Sequence, residues 1–409
     1  MNTPNIEQLD RLISKHIGDG KTIVDQKISR LTSPGENFGS EMLKVDLVVE
    51  SKETRRPENV HIVAKLIPRN DFFKDIFNVQ VSFRNESAFY STVVPALQRF
   101  QTQQGLEIDQ AVDFFPKFFG SRCNLADDER GLVDDDAVLL LENLKIQGYE
   151  NVKRLEGFDF PTALLILDCL ARFHAVPLAL KLKEPETFET KVKPFLACFH
   201  PMKPKPSIDD AVKAIVKLLE SSENCKKWSA KVQQSMGTFG KFMDIKEPMA
   251  TVTHTDLWVN NILVKFVGGA PESCRFVDFQ GYNYGSPAVD VLFFLFTSIE
   301  FGLLREKLDG FLEYYVNQFN EALKQLNCDY RLTLDRLIEE IKYASQWELA
   351  HVLFMTLMVV HAKEGGNFDS DENITNGPPA FNEITFQEKA IERVLWVIEE
   401  WGKRGWLNY

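Results

Sequence analysis

The chain is poor in cysteine and has no basic tract, and both shortages narrow what it can be. Its 409 residues include six cysteines, at 123, 169, 198, 225, 274 and 328, with no Cys-x-x-Cys pair. In a chain this long, such scatter speaks against a disulfide framework or a zinc site and implies buried or free thiols in a reducing compartment. The 47 Lys and Arg residues are outnumbered by 59 Asp and Glu, giving a formal net charge of −12. No Lys/Arg run offsets that balance, so nucleic acid is not an expected partner, because phosphate neutralisation supplies most of such affinity. The N-terminal stretch MNTPNIEQLDRLISKHI lacks the apolar segment of a signal peptide. The longest apolar run, 288–304, is interrupted by Asp290 and Glu300, which suits a buried helix and not a membrane span. A cytoplasmic protein is the expectation.

Phenylalanine, by contrast, is abundant: 32 against nine tyrosines. A phenylalanine-rich core is the plain reading; an apolar pocket for a bulky substrate is the sharper one. The length exceeds what one hydrophobic core usually serves, so two lobes are expected. Apolar spacing predicts a helix over 6–17, strand-like runs within 24–50, a strand over 59–67 and a helix over 84–100. Further strands are predicted over 115–119 and 137–141, with an acidic loop (DDERGLVDDD) between them. Beyond Glu142 helices dominate, over 160–175, 208–219, 288–304, 306–326, 333–361 and 383–402, interrupted by short strands within 251–280. The architecture is therefore α+β and bilobal: a β-rich N-terminal lobe over 1–142 and a mainly helical lobe over 143–409. The polar stretch 365–380 reads as a surface connector, with a substrate lid as the alternative.

One stretch carries chemistry. His254-Thr255-Asp256-Leu257-Trp258-Val259-Asn260-Asn261 reads H-x-D-x-x-x-x-N, and after two short strands Val277-Asp278-Phe279-Gln280 follows. Phosphoryl transfer needs one carboxylate to orient the acceptor hydroxyl and take its proton, which Asp256 can do. It needs a second carboxylate and an amide oxygen to hold Mg²⁺ against nucleotide phosphates, and Asp278 and Asn261 suit that hard ion. An intervening hairpin would bring 261 and 278 together. Taken singly, an Asp or Asn in a loop is a turn former or a cap; the joint pattern is far more specific. His254 is expected to orient the loop by hydrogen bonding, and His174 to be a buried polar group with a partner.

The motif resembles the catalytic loop and metal-binding segment shared by protein kinases and small-molecule kinases, which implies a protein-kinase-like fold using ATP and Mg²⁺. Lys65, in Ile62-Val63-Ala64-Lys65, then resembles the lysine that contacts nucleotide phosphates, and Glu86 the glutamate that positions it. Gly35, Asn37, Gly39 and Ser40 would lie in a loop over the phosphates, and Glu142, Asn143 and Leu144 in the hinge along the adenine edge. Asp290 resembles the aspartate that braces the catalytic loop, although a carboxylate favouring a helix N-terminus explains it equally. Thr255 in place of arginine, Gln280 in place of glycine and the missing A-P-E argue against a protein kinase.

The Asp-Leu-Trp-Val-Asn-Asn block, Leu140-Leu141-Glu142-Asn143-Leu144, Phe173-His174-Ala175 and the 35–40 segment resemble the ecdysteroid kinase-like (CHK kinase-like) family, over about residues 20–360. That resemblance implies ATP-dependent phosphorylation of a hydroxyl on a small molecule, an ecdysteroid or a related hormone or xenobiotic. A choline or ethanolamine kinase is the alternative within the enzyme class, with Trp347, Glu348 and Trp258 as candidates for a cationic head group. A catalytically silent pseudokinase is the alternative outside it.

Overall fold

The computed structural model describes residues 4–18, 20–31, 40–107, 111–126, 128, 131–196, 206–237, 243–361 and 388–409. Gly35, Asn37 and Gly39 and the 365–380 stretch lie outside the described residues. The chain opens with helix α1 (Leu9–Ile17) and three strands, β1 (Lys21–Arg30), β2 (Glu41–Ser51) and β3 (Pro57–Leu66). Every second residue of β2 (Leu43, Val45, Leu47, Val49) is buried, as the period of a half-covered strand requires. These side chains meet Leu9 and Ile13 of α1 and Ile62 and Ala64 of β3, so α1 seals one face of the sheet. Lys65 therefore projects from the opposite face.

Helices α2 (Asp71–Ile76), α3 (Val79–Ala88) and α4 (Val94–Gln103) follow, then strands β4 (Phe118–Arg122) and β5 (Val138–Glu142). The five strands pair antiparallel in the order β1-β2-β3-β5-β4. Two expectations shift here. The helix begins at Val79, not 84, and a π turn over Phe89–Val93 joins α3 to α4. Pro95 has no N–H and its ring clashes with the carbonyl four residues back, so the coil widens there, with the Val94 N–H bonding Phe89 O. The strand expected over 115–119 starts at Phe118, because Phe115 joins an aromatic cluster with Phe89 and Phe279 and Phe114 O accepts from the Phe276 N–H at 2.8 Å.

Gly120 in β4 has φ +140°, and a Cβ there would lie 2.6 Å from Leu12 O in α1. Gly120→Ala is accordingly expected to push α1 off the sheet and cost about 1–3 kcal/mol, read as a lowered thermal midpoint.

Past β5 a short 3-10 turn (Leu144–Gln147) and strand β6 (Tyr149–Asn151) lead into α5 (Phe160–Lys183). Among the described residues α5 alone is long and apolar enough to cross a membrane, but 78% of its apolar window is buried inside the protein. Helix α6 (Pro185–Lys191) packs on it, and helices α7 (Pro206–Glu220) and α8 (Ser229–Met236) and strand β7 (Thr251–Thr253) follow. The hairpin β8 (Ile262–Val267) and β9 (Ala270–Phe276) pairs with β6, while β10 (Asn283–Gly285) pairs with β7.

The break expected between 304 and 306 falls earlier, at Ile299 and Glu300, between α9 (Ala288–Ser298) and α10 (Phe301–Gln325). Ile299 is extended and bridges to Phe158, and the Glu300 carboxylate caps the N–H groups of Gly302 and Leu303, starting the new helix. Helices α11 (Leu334–His361) and α12 (Glu388–Lys403) complete the lobe. Sheet and helical lobe meet where Lys65 reaches the segment after β9.

Candidate active site

The segment 254–261 owes its shape to one buried carboxylate. Asp290, in the first turn of α9 and fully buried, accepts the backbone N–H of His254 at 2.6 Å and of Thr255 at 2.7 Å. It also accepts His174 Nε2–H at 2.9 Å, while His174 Nδ1 bonds the Tyr315 hydroxyl at 2.8 Å. His174 thus has its expected partner. Asp290 braces the loop; it does not merely favour a helix end. Burial would raise the Asp290 pKa, but the bonds and charges of His174 and His254 outweigh it and hold the carboxyl below its ordinary range.

With two anchors on successive N–H groups, Thr255 is held at φ +69°, which costs a β-branched residue strain. Its hydroxyl donates to Gly281 O at 2.9 Å. His254 is kept neutral by burial. Its Nε2–H donates to Val277 O at 3.0 Å and its Nδ1 accepts the Asp256 N–H at 3.3 Å, so the ring ties 254–256 to 277.

Asn261 ends a 3-10 turn (Val259–Asn261) and spends its amide Nδ2 on Asp256, at 2.8 Å to the carbonyl and 3.0 Å to Oδ2. That directs Oδ1 the other way. The Val277 N–H bonds Asn261 O at 3.0 Å, closing the β8–β9 hairpin so that 261 and 278 become neighbours. Asp278 sits at φ +70°, a left-handed turn that aims its carboxylate at the sheet. There Lys65 Nζ donates to Asp278 Oδ1 and to Glu86 Oε2, both at 2.7 Å. Lys65 and Glu86 are nearly inaccessible. Burial opposes the Lys65 charge, but the two carboxylates overcome it and raise its pKa. Burial pushes Glu86 up to about 7 and Asp256 up to about 7, the latter with help from the Asp278 charge.

Phe279 locks this junction. Its ring stacks on Phe89 of the π turn at 3.7 Å and 10°, and Phe115, Phe173 and His254 surround it. Nothing in the local sequence marks Phe89 or Phe115 as partners of Phe279; only the tertiary fold joins them.

The other expected site residues divide. Glu142, Asn143 and Leu144 form the exit from β5 into the helical lobe, with the Asn143 N–H on His61 O and Leu144 packed against Leu263. Ser40 lies just before β2, with its hydroxyl 3.7 Å from Met42 Sδ. Among the described residues no group of three His, Cys, Asp or Glu side chains converges on a metal site. An Asn–Asp pair nevertheless fits Mg²⁺, which takes one or two protein ligands and completes its shell with water and phosphate.

Asp290→Asn places an amide N–H₂ against donors that need an acceptor. It is expected to cost about 2–3 kcal/mol at pH 7. Because the Asp290 pKa is depressed, the wild type loses this advantage as pH falls through the folded value, so the two unfolding midpoints should converge in acid.

A paired lysine and glutamate under an antiparallel sheet, facing an H-x-D-x-x-x-x-N loop on a helical lobe, is the layout of a small-molecule kinase-like phosphotransferase. The chain matches the profile of the ecdysteroid kinase-like family over residues 34–328 and belongs to that family. A search of the curated proteins finds no match. Among solved structures it is similar to the GDP complex of wild-type aminoglycoside 2'-phosphotransferase-IIIa, at 12% identity and a TM-score of 0.38 over 97% of this chain and 98% of the other. It is also similar to the streptomycin–ATP–APH(2")-IIa ternary complex, at 16% identity and a TM-score of 0.31 over 85% and 92%.

Proposed function

We propose that this protein transfers the γ-phosphoryl group of ATP to a hydroxyl on a small molecule, an ecdysteroid or a related hydroxylated hormone or xenobiotic, in the cytoplasm. The observation that carries the reading is the single cluster in which Lys65 bridges Glu86 and Asp278 while Asp256 and Asn261 share a hydrogen bond. In this reading residues 1–142 form the nucleotide lobe and 143–409 the catalytic and substrate lobe. Lys65, held by Glu86, pairs with the nucleotide phosphates. Gly35, Asn37, Gly39 and Ser40 cover them, and the 142–144 exit meets the adenine edge.

Asn261 Oδ1 and Asp278 would hold Mg²⁺, which, when bound, offsets phosphate charge. Asp256 orients the acceptor hydroxyl and takes its proton as the oxygen bonds to phosphorus and ADP leaves. A carboxyl raised toward neutrality is better matched to that proton transfer than an ordinary aspartate. His254 and Asp290 keep Asp256 in place.

ADP release with Mg²⁺-ATP, across ecdysteroids, choline, ethanolamine and hydroxylated plant compounds, tests the reading with Asp256→Ala alongside. Turnover with a steroid-like or xenobiotic alcohol, absent in the variant, is expected. Nucleotide binding without turnover of any acceptor would sink it in favour of a silent binding protein.

A further inference from the structure

The brace on the 254–261 loop does not end at Asp290 and His174; it reaches a third element, α10. Asp290, its carboxyl held below the ordinary range, can only accept hydrogen bonds. His174 Nε2 must therefore carry the hydrogen that Asp290 Oδ2 meets at 2.9 Å. That leaves Nδ1, which lies 2.8 Å from the hydroxyl of Tyr315 on α10. Burial, with the Asp290 charge nearby, raises the Tyr315 pKa well above its ordinary value, so the hydroxyl keeps its proton. Among the described residues it has no other hydrogen-bond partner, and that proton goes to Nδ1. Which ring nitrogen of a histidine carries hydrogen is set by the bond that the other one makes. A donor at Nδ1 selects the tautomer that can serve Asp290.

The opposite tautomer fits this place badly. With its hydrogen on Nδ1, that edge would set donor against donor, and the bare Nε2 would face a carboxylate. Tyr315, His174 and Asp290 are all fully buried, so solvent cannot stand in for a partner that is lost. The hydroxyl is also out of character with its surroundings. The Tyr315 ring packs 5.9 Å from that of Phe319, inside the main apolar core. A phenylalanine, which the chain uses 32 times against nine tyrosines, would fill the same volume without carrying a polar atom into that core. What the oxygen adds is the bond to His174.

Resting on the phosphotransfer reading, we propose that Tyr315 is a positioning residue for Asp256. Its hydroxyl fixes His174 as the Nε2–H tautomer, His174 steadies Asp290, and Asp290 holds the N–H groups of the two residues that precede Asp256. The relay runs through four hydrogen bonds, none longer than 2.9 Å. Tyr315 itself touches no reacting atom.

Two measurements on the full chain test this, for wild type, Tyr315→Phe, His174→Asn and the double variant. The first is nitrogen NMR of ¹⁵N-labelled histidine. In the wild type His174 Nε2 should resonate as an N–H and Nδ1 as a hydrogen-bonded acceptor, and in Tyr315→Phe the Nδ1 signal should leave that position. The second is ADP release with Mg²⁺-ATP and ecdysone. Tyr315→Phe should lower kcat about tenfold, the equivalent of one lost hydrogen bond, while KM for ATP stays within about twofold. Asparagine at 174 is too short to reach Asp290 and cuts the relay, so adding Tyr315→Phe to it should change kcat by less than about twofold. A wild-type spectrum with the hydrogen on Nδ1 alone would overturn the proposal. So would an unchanged kcat in Tyr315→Phe, or losses that simply multiply in the double variant, since the tyrosine would then act as core packing. Spectra that follow the expected pattern in a chain releasing no ADP with any alcohol would support the relay and overturn the phosphotransfer reading.

Discussion

Asp256→Asn is expected to lower the turnover of any accepted alcohol by about 10²–10⁴-fold, the span usual for losing a positioned general base. The same change should make the protein more stable above neutral pH. Asp256 is desolvated and stands near Asp278, so its carboxyl is pushed up to about 7 from an ordinary value near 3.8. Above about pH 7 the folded wild type carries that charge at a cost which asparagine avoids, on the order of 1–3 kcal/mol. As pH falls the wild-type carboxyl takes up its proton in the folded state and the difference shrinks. Below the ordinary carboxyl range, where the unfolded chain is protonated too, it should vanish. Chemical denaturation at pH 8, 6 and 4 measures this directly. An asparagine variant that is less stable than wild type at pH 8 would mean that the Asp256 charge is well solvated and that the site is not built as described.

Lys65→Met carries the second large effect. Among the described residues Lys65 is the only cation bonded to Glu86, and Glu86 is about 1% exposed. Methionine fills the volume but leaves the buried Glu86 carboxylate facing Asp278 with no counter-charge. Removing one partner of a buried pair typically costs about 3–5 kcal/mol. Glu86 can relieve part of that by protonating, since burial already lifts it to about 7. The loss should therefore be largest near pH 8 and smaller near pH 6. The double variant Lys65→Met/Glu86→Gln should recover much of the stability, because two neutral groups need no counter-charge, yet should still fail to bind Mg²⁺-ATP tightly. That pattern separates a structural ion pair from a nucleotide contact: recovery of ATP affinity in the double variant would show that Lys65 does not meet the phosphates.

The parts of the site legible in the sequence were those whose chemistry is written over a short span. Asp256, Asn261 and Asp278 lie within one loop and one hairpin, so residue type and spacing single them out as one group. Lys65 and Glu86 are singled out by their resemblance to a kinase lysine and the glutamate that positions it. Their contact with Asp278 spans 213 residues and has no local signature. Asp290 shows the limit differently. Its position at a helix start permitted two readings, and only the N–H groups of His254 and Thr255 on its two oxygens decide between them.

Fold errors had the same origin. Hydrophobic period does not distinguish a strand from an aromatic run, so it predicts a strand from 115, where Phe115 instead meets Phe89. Nor does it reveal that Ile299 leaves the helix to bridge Phe158, a partner 141 residues away whose pairing is set by packing.

The Asp290 brace also sets a clock. The amide protons of His254 and Thr255 point into a carboxylate with no solvent exposure, tied through His174 to the long central helix α5. Releasing either proton to solvent requires parting α5, α9 and the loop together. In deuterated buffer these two amides should outlast nearly all others and report the opening free energy of the whole helical lobe, while β1, an edge strand whose residues are mostly exposed, exchanges early. The loop proposed to hold a reacting hydroxyl is thus among the least yielding parts of the molecule.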